Sequence, residues 1–543
     1  MILGLSRSWS LTGYLIAAVI TLPLIALIMQ ATFPDEAVFK HLFDTVLPTY
    51  IANSLLLMLL VGIGSLVIAV PAAWFVARCE FPGRRYFQWL LLLPLAMPAY
   101  IVAYVYTDML DYAGPVQRVL RDLFQWSSPH DYYFPAIRSL GGAAIMLSLV
   151  LFPYIYLLAR TAFMEQSSSL LHASRIMGSS PWRSFWRVAL PMSRPALAVG
   201  VALVAMETAA DYATVSYFAV PTLTTAVYDT WLGYGSLTAA AKLSAIMLLV
   251  IFTMVGVERF ARRKQELFQK QSALSDNDRY RLTGIKSFAA WAYCSALLLF
   301  AFLLPFIILS AYAIDYFDQS WDDRFWQYSW NSLYIAVLVS LICLLLALIL
   351  MFVRRVSPRQ SDSLPSRLSS TGYALPGTVL AIGVLVPLTY LDFAVNDIYD
   401  WFGARGPGLF FTGSVFALVF AFTVRFLAIA IGSLESSYKR ISPSLDMASI
   451  TMGQKPKQLL MRVHLPLLRK GLLAGALLVF IESMKELPAA LLLRPIGFEN
   501  LATYVFQFVS DEKLEHGALA AIVIVFVGLI PLIYLNRSLE HTR

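Results

Sequence analysis

The chain has 543 residues, 59% of them hydrophobic and only 14% charged, where soluble domains carry roughly 25% charged residues. With a mean hydropathy of +0.69 and apolar runs long enough to cross a bilayer, it reads as a polytopic membrane protein and not as a soluble multidomain enzyme. The net charge of +8 would suit nucleic acid, but basic excess is also what cytoplasmic loops carry, so the placement of the charges decides.

Twelve apolar runs predict membrane helices near 11–31, 51–77, 86–107, 139–159, 196–219, 238–257, 287–312, 331–353, 371–391, 412–431, 471–493 and 516–535. The first reads as a retained span, because it is about twenty residues long and lacks a small-x-small cleavage site. The three cysteines, Cys79, Cys294 and Cys343, lie far apart and offer neither a disulfide framework nor a metal cluster. With the N-terminus in the cytoplasm and alternate loops assigned to the two sides, 30 of the 41 basic residues fall inside and 8 outside, leaving Lys242, Arg425 and Lys485 in or beside spans. The basic count therefore puts both termini in the cytoplasm. The basic segment 258–286 separates six spans from six, so the expected organisation is a six-helix half at 1–257, a cytoplasmic linker at 258–286 and a second six-helix half at 287–543.

The two halves repeat. At an offset of 275, 13 of 28 positions between 167 and 194 are identical to those at 442–469, without a gap. Tyr50 with Asn53-Ser54-Leu55 recurs as Tyr328 with Asn331-Ser332-Leu333, and Met97-Pro98-Ala99 resembles Leu375-Pro376-Gly377. An even number of spans separates the copies, which makes this the parallel type of repeat known in transporters.

Each repeated segment joins a helix-compatible stretch to a glycine and then a proline, a pattern for two short helices meeting at a corner. The segments Ala173–Pro191 and Ala448–Pro466 resemble the two EAA loops of ABC-importer permeases, whose pattern is Glu-Ala-Ala, three residues, Gly, nine residues, then Ile-x-Leu-Pro. The leading Glu of that pattern is His172 in one copy and Met447 in the other, and the second Ala is Ser174 or Ser449. The resemblance implies an all-α polytopic membrane protein of about 12 transmembrane helices, in two parallel-related six-helix halves of type I ABC importer permease (MetI-like) architecture. It places EAA loops near 160–194 and 435–470, whose Ala173, Ser174, Gly178, Leu190, Pro191, Ala448, Ser449, Gly453, Leu465 and Pro466 would couple to ATPase subunits.

The chain contains no Gly-Lys pair and so no P-loop. The resemblance therefore implies two separate ATPase subunits that carry ATP and magnesium, with no cofactor on this chain, and a periplasmic or lipoprotein binding protein that delivers substrate. Catalysis and nucleic-acid binding are not expected.

Glu207 and Asp211, and 275 residues later Glu482 and Glu486, stand four apart in the fifth and eleventh runs. On a continuous helix each pair shares one face. Intramembrane carboxylates are functional hypotheses by default, here an electronegative lining for a hard cation such as Fe(III). The alternative is structural: Lys485 sits three residues from Glu482, and Thr208, Thr214 and Ser483 offer hydroxyls to the carboxylates. The stretches Met206–Val215, Glu482–Pro495, Asn500–Val505 and Leu519–Leu535 resemble iron(III) ABC-transporter permeases with two fused halves. That resemblance implies a multi-pass protein of the bacterial inner membrane that takes Fe(III) from a ferric-binding protein. Thiamine, phosphonate or polyamine permeases have similar loops, and a secondary cation transporter would also use intramembrane carboxylates. The six histidines are scattered without metal-ligand spacing and read as loop residues, and aromatics such as Tyr104, Trp126 and Tyr132 read as interfacial belts. No metal ligand is assigned.

Overall fold

The structure is a computed structural model that describes residues 7–34, 37–166, 176, 178, 180–262, 279–356 and 363–540. Among the described residues ten helices are long and apolar enough to cross a membrane, and a helix pair, Arg84–Ala96 and Ala99–Phe124, bent by 90°, has the geometry of a broken span or a re-entrant loop. The run expected at 516–535 lies in the helix Leu514–Glu540. The run expected at 86–107 is broken because Pro98 cannot donate to a helical ladder and instead stands as the N-cap of Ala99–Leu110.

The chain gathers into two compact units that regroup the sequence instead of dividing it at the linker. One comprises Met1–Thr45, Ala226–Leu248 and Trp321–Val505; the other comprises Val46–Thr225, Leu249–Ser320 and Phe506–Arg543. The first unit is built on Asp323–Val356, Val415–Tyr438 and Leu465–Lys485, and the second on Leu47–Arg78, Leu140–Glu165 and Leu190–Ala210. Each unit also takes up the opening helix of the other half of the sequence. Arg7–Thr32 packs on Gly377–Trp401, where a Cβ at Gly383 would stand 2.7 Å from the Pro23 carbonyl oxygen. In the other unit the Tyr293 hydroxyl donates to the Ile68 carbonyl at 2.9 Å, and Phe306 meets Phe526 edge-on. The far end of the basic linker is anchored there too, Tyr280–Arg281 pairing in parallel with Cys79–Glu80.

Two devices recur along the chain. The Leu-Pro pairs at 190–191, 304–305 and 465–466 are each preceded by a five-residue π-helical stretch, at Phe185–Ala189, Leu299–Leu303 and Leu460–His464. A proline inside an α-helix clashes with the carbonyl four residues back, and the wider π turn lets the helix continue past it. Hence Trp182–Ala210 and Pro456–Lys485 run as single spans through their prolines.

The repeated Asn-Ser pairs are backbone clamps. Asn53 Nδ2 donates to the Pro221 carbonyl (3.0 Å), and Ser54 Oγ accepts from the Leu223 amide (2.9 Å). Asn331 and Ser332 do the same for the Glu499 carbonyl (2.8 Å) and the Leu501 amide (2.7 Å). Each pair holds the start of the helix that follows, Leu223–Leu232 or Leu501–Ser510, satisfying a buried amide that has no helical partner. Replacing Ser332 by Ala leaves the Leu501 amide unpaired at a cost of about 1–3 kcal/mol. Hydrogen exchange at 501–503 is expected to accelerate while exchange in Val415–Tyr438 stays unchanged.

Candidate coupling and translocation sites

In the second half the coupling segment is a helix, Pro443–Thr451, followed by Gly453 at φ +75° and a restart at Pro456. In the first half Gly178 has φ +79° and the restart is at Pro181. Two glycines in the left-handed region at equivalent places form the corner that the sequence pattern predicts. Ala173 and Ser174 lie outside the described residues. Ala448 is exposed, whereas Ser449 is buried and donates to Gln454 Oε1 at 3.0 Å. Leu190, Pro191 and Leu465 are half-buried and Pro466 is exposed. Apolar side chains stand out around both corners: Ile176, Trp182 and Trp186 in one, Leu445, Met447, Met452 and Met461 in the other.

The entry to each segment is held by an arginine at the end of the first core helix. Arg78, fully buried, donates to the Gln166 carbonyl (2.6 Å), and Gln166 Nε2 donates to the Ala189 carbonyl (2.8 Å). Arg355 donates to the Ile441 carbonyl (2.9 Å) and pairs with Asp446 (2.7 Å). His464, expected to be a loop residue, is instead fully buried in the π turn, with Nε2 2.8 Å from Asp446 Oδ1.

The carboxylates sit where a helix stops. Leu190–Ala210 ends at Asp211 and Leu465–Lys485 ends at Glu486, both residues having extended backbone with φ −68°. The expectation of two acids on one helical face is thereby corrected: Glu207 and Glu482 are on the helices, but Asp211 and Glu486 belong to the breaks. Free backbone donors follow each break, and the acid satisfies them. Asp211 accepts from the Thr214 amide (3.0 Å), the Val215 amide (3.2 Å) and the Thr214 hydroxyl (3.0 Å). Glu486 accepts from the Ala489 amide (3.3 Å), at the start of Pro488–Leu493.

Beyond that the two breaks differ. Glu486 is paired with Arg425 at 3.1 Å, the side chains being 6% and 12% exposed. Gly377, at the start of Gly377–Trp401, lies against the pair; a Cβ there would be 2.5 Å from Glu486 Oε1 and 2.6 Å from Arg425 Nη1. Lys485 Nζ is 3.6 Å from Glu482, both side chains partly exposed. Arg425 was legible only as a costly charge in an apolar run, a signal that demands a partner without naming it. Among the described residues no group of three or more His, Cys, Asp or Glu could hold a metal ion. Of the aromatics expected as a belt, Trp126 and Tyr132 stack on each other at 4.6 Å and Tyr104 packs on Tyr217.

Residues 69–266 match the family described as the binding-protein-dependent transport system inner membrane component. An Fe(3+)-transport system permease protein of Haemophilus influenzae is 25% identical over 536 residues, covering 96% of each chain. The chain is a permease subunit of an ABC importer. It is accordingly a multi-pass inner-membrane protein and not an enzyme, and permeases of this family work with a binding protein and separate ATPase chains. A ferric transport system permease protein of Actinobacillus pleuropneumoniae is 22% identical over 531 residues, covering 94% of this permease and 74% of its own length. A molybdenum transport system permease of Escherichia coli K12 is 26% identical over 209 residues, 88% of its length but 37% of this one. A permease of that size corresponds to one half of this chain.

Breaking a buried ion pair on one side leaves an uncompensated charge, at about 3–5 kcal/mol, whereas replacing both partners is far milder. Arg425→Met is therefore expected to lower the thermal stability of the detergent-purified permease markedly. Arg425→Met with Glu486→Gln is expected to recover most of the loss; equal losses in single and double variants would contradict the pairing.

Proposed function

We propose that this permease carries Fe(III) from a periplasmic ferric-binding protein to the cytoplasm by ATP-driven alternating access. The observation that carries the reading is the match to an Fe(3+)-transport permease across 96% of both chains. The carboxylates at the two breaks support it, since a hard cation prefers oxygen ligands. Glu486 already has Arg425 as its counter-ion, so the lining falls to Glu207, Asp211 and Glu482, with Lys485 moderating Glu482. The corners at Gly178 and Gly453, with Ala173, Ser174, Leu190, Pro191, Ala448, Ser449, Leu465 and Pro466 around them, dock on two ATPase subunits. Those subunits carry the ATP and magnesium, and the basic loops and both termini face the cytoplasm. An organic cargo such as thiamine, a phosphonate or a polyamine would call for aromatic and polar lining more than acids.

Reconstitution in liposomes with its ATPase and binding protein, with uptake of radiolabelled Fe(III) measured against thiamine, tests the reading. ATP-dependent, iron-selective uptake is expected. Uptake of thiamine alone would overturn the cargo, and flux driven only by a proton gradient would overturn the mechanism. Asp211→Asn is expected to lower uptake about tenfold, the scale of one charge-assisted interaction, with assembly retained. Gly453→Ala tests the corner: the added Cβ meets nothing within 4 Å, so only the left-handed backbone is penalised, by about 1–2 kcal/mol. ATP hydrolysis is expected to continue with less iron moved per ATP.

A further inference from the structure

The second coupling helix is bonded to the transmembrane helix that follows it, at one buried point. Asp446 lies in the first turn of Pro443–Thr451 and His464 in the π turn that opens the long Pro456–Lys485 span. The two meet at 2.8 Å, His464 being 0% exposed and the Asp446 side chain 14%. The other Asp446 oxygen takes Arg355 Nε at 2.7 Å, from the end of Asp323–Val356. His464 is enclosed further by the Tyr438 hydroxyl, 3.4 Å from Nδ1, and by the Phe352 and Tyr438 rings edge-on. Phe352, Val356, Leu459 and Leu460 form the buried apolar floor beneath.

The position of the acid explains the contact. The family pattern puts its acid where Met447 stands, and Met447 is exposed. One residue earlier is about 100° around a helix, which turns Asp446 inward. At the aligned positions of the first half stand Leu171 and Ala189, neither of which can make a charge-assisted bond.

We infer that Arg355, Asp446 and His464 form a mechanical latch in the second half, transmitting displacement of the second coupling helix directly to the Pro456–Lys485 span. His464 and Asp446 are thus positioning residues for coupling. The inference rests on the importer reading above.

The test uses the full complex in liposomes, with wild type, His464→Phe, His464→Gln and Asp446→Asn. Iron taken up per ATP hydrolysed is measured together with hydrogen exchange of residues 443–454 in the purified permease. His464→Phe fills the cavity without a donor, and is expected to lower the uptake-to-hydrolysis ratio about tenfold, the size of one charge-assisted bond. It is also expected to accelerate exchange in 443–454, while Val415–Tyr438 is unchanged. His464→Gln restores a donor toward Asp446 and is expected to recover most of the ratio. A His464→Phe variant with wild-type ratio and wild-type exchange would overturn the latch. So would equal losses in the Phe and Gln variants, because packing alone would then account for them. A wild type that shows no ATP-dependent uptake would overturn the importer reading instead, and the exchange result would still decide whether the bond holds the coupling helix.

Discussion

The structure depends on how interrupted helices satisfy their backbone in a medium without water. An amide left unpaired in hydrocarbon costs several kcal/mol, so a broken span survives only where side chains supply the missing partners. Here the interruption falls at the same place in both halves, and in both a carboxylate one residue beyond the helix takes up the free donors. The next helix along, Leu223–Leu232 or Leu501–Ser510, is held by a Ser accepting its first amide and an Asn binding a carbonyl just before it. Acid, break and Asn-Ser clamp form one solution to one constraint, which is why all three recur together in the repeat.

Given that shared solution, the differences between halves carry functional meaning. Asp211 is met by a hydroxyl and two amides, neutral donors that leave its charge uncompensated. Glu486 is met by a guanidinium and enclosed by a helix start that only glycine allows so near. The first break therefore presents a charge and the second stores one in an internal pair. The same division holds at the coupling ends: Arg78 and Gln166 bind backbone carbonyls, whereas Arg355, Asp446 and His464 bind one another.

Much of this was legible in the sequence, for identifiable reasons. Long apolar runs report spans because the bilayer fixes their length, and the repeated glycine reports the corner because few other residues tolerate a left-handed backbone. The breaks after Ala210 and Lys485 were not legible, because Glu-Thr-Ala-Ala-Asp and Glu-Ser-Met-Lys-Glu have the spacing of an uninterrupted helix face; only the three-dimensional course shows that the second acid stands at the break and caps the stretch beyond it. Arg425 announced a cost without its partner, 61 residues away. His464 gave no signal at all, since a histidine after nine loop-like residues looks the same whether solvated or buried. The Asn-Ser repeat was visible as a pattern, but its reason required the loop it binds.

The long spans Trp182–Ala210 and Pro456–Lys485 connect these features. Each begins at a coupling corner, passes a proline by a π turn and ends at a carboxylate break. At about 1.5 Å per residue the second, 30 residues long, is a rod of about 45 Å. A rod of hydrogen-bonded backbone transmits displacement with little loss. Had the prolines kinked these helices, movement at the corners would have been absorbed near the Leu-Pro pairs. The π turns carry both helices past these pairs, and each span ends at the break, beside the acid. Each span thus joins a glycine corner to a carboxylate break, at Asp211 or Glu486, and the second break is the one closed by an internal pair with Arg425.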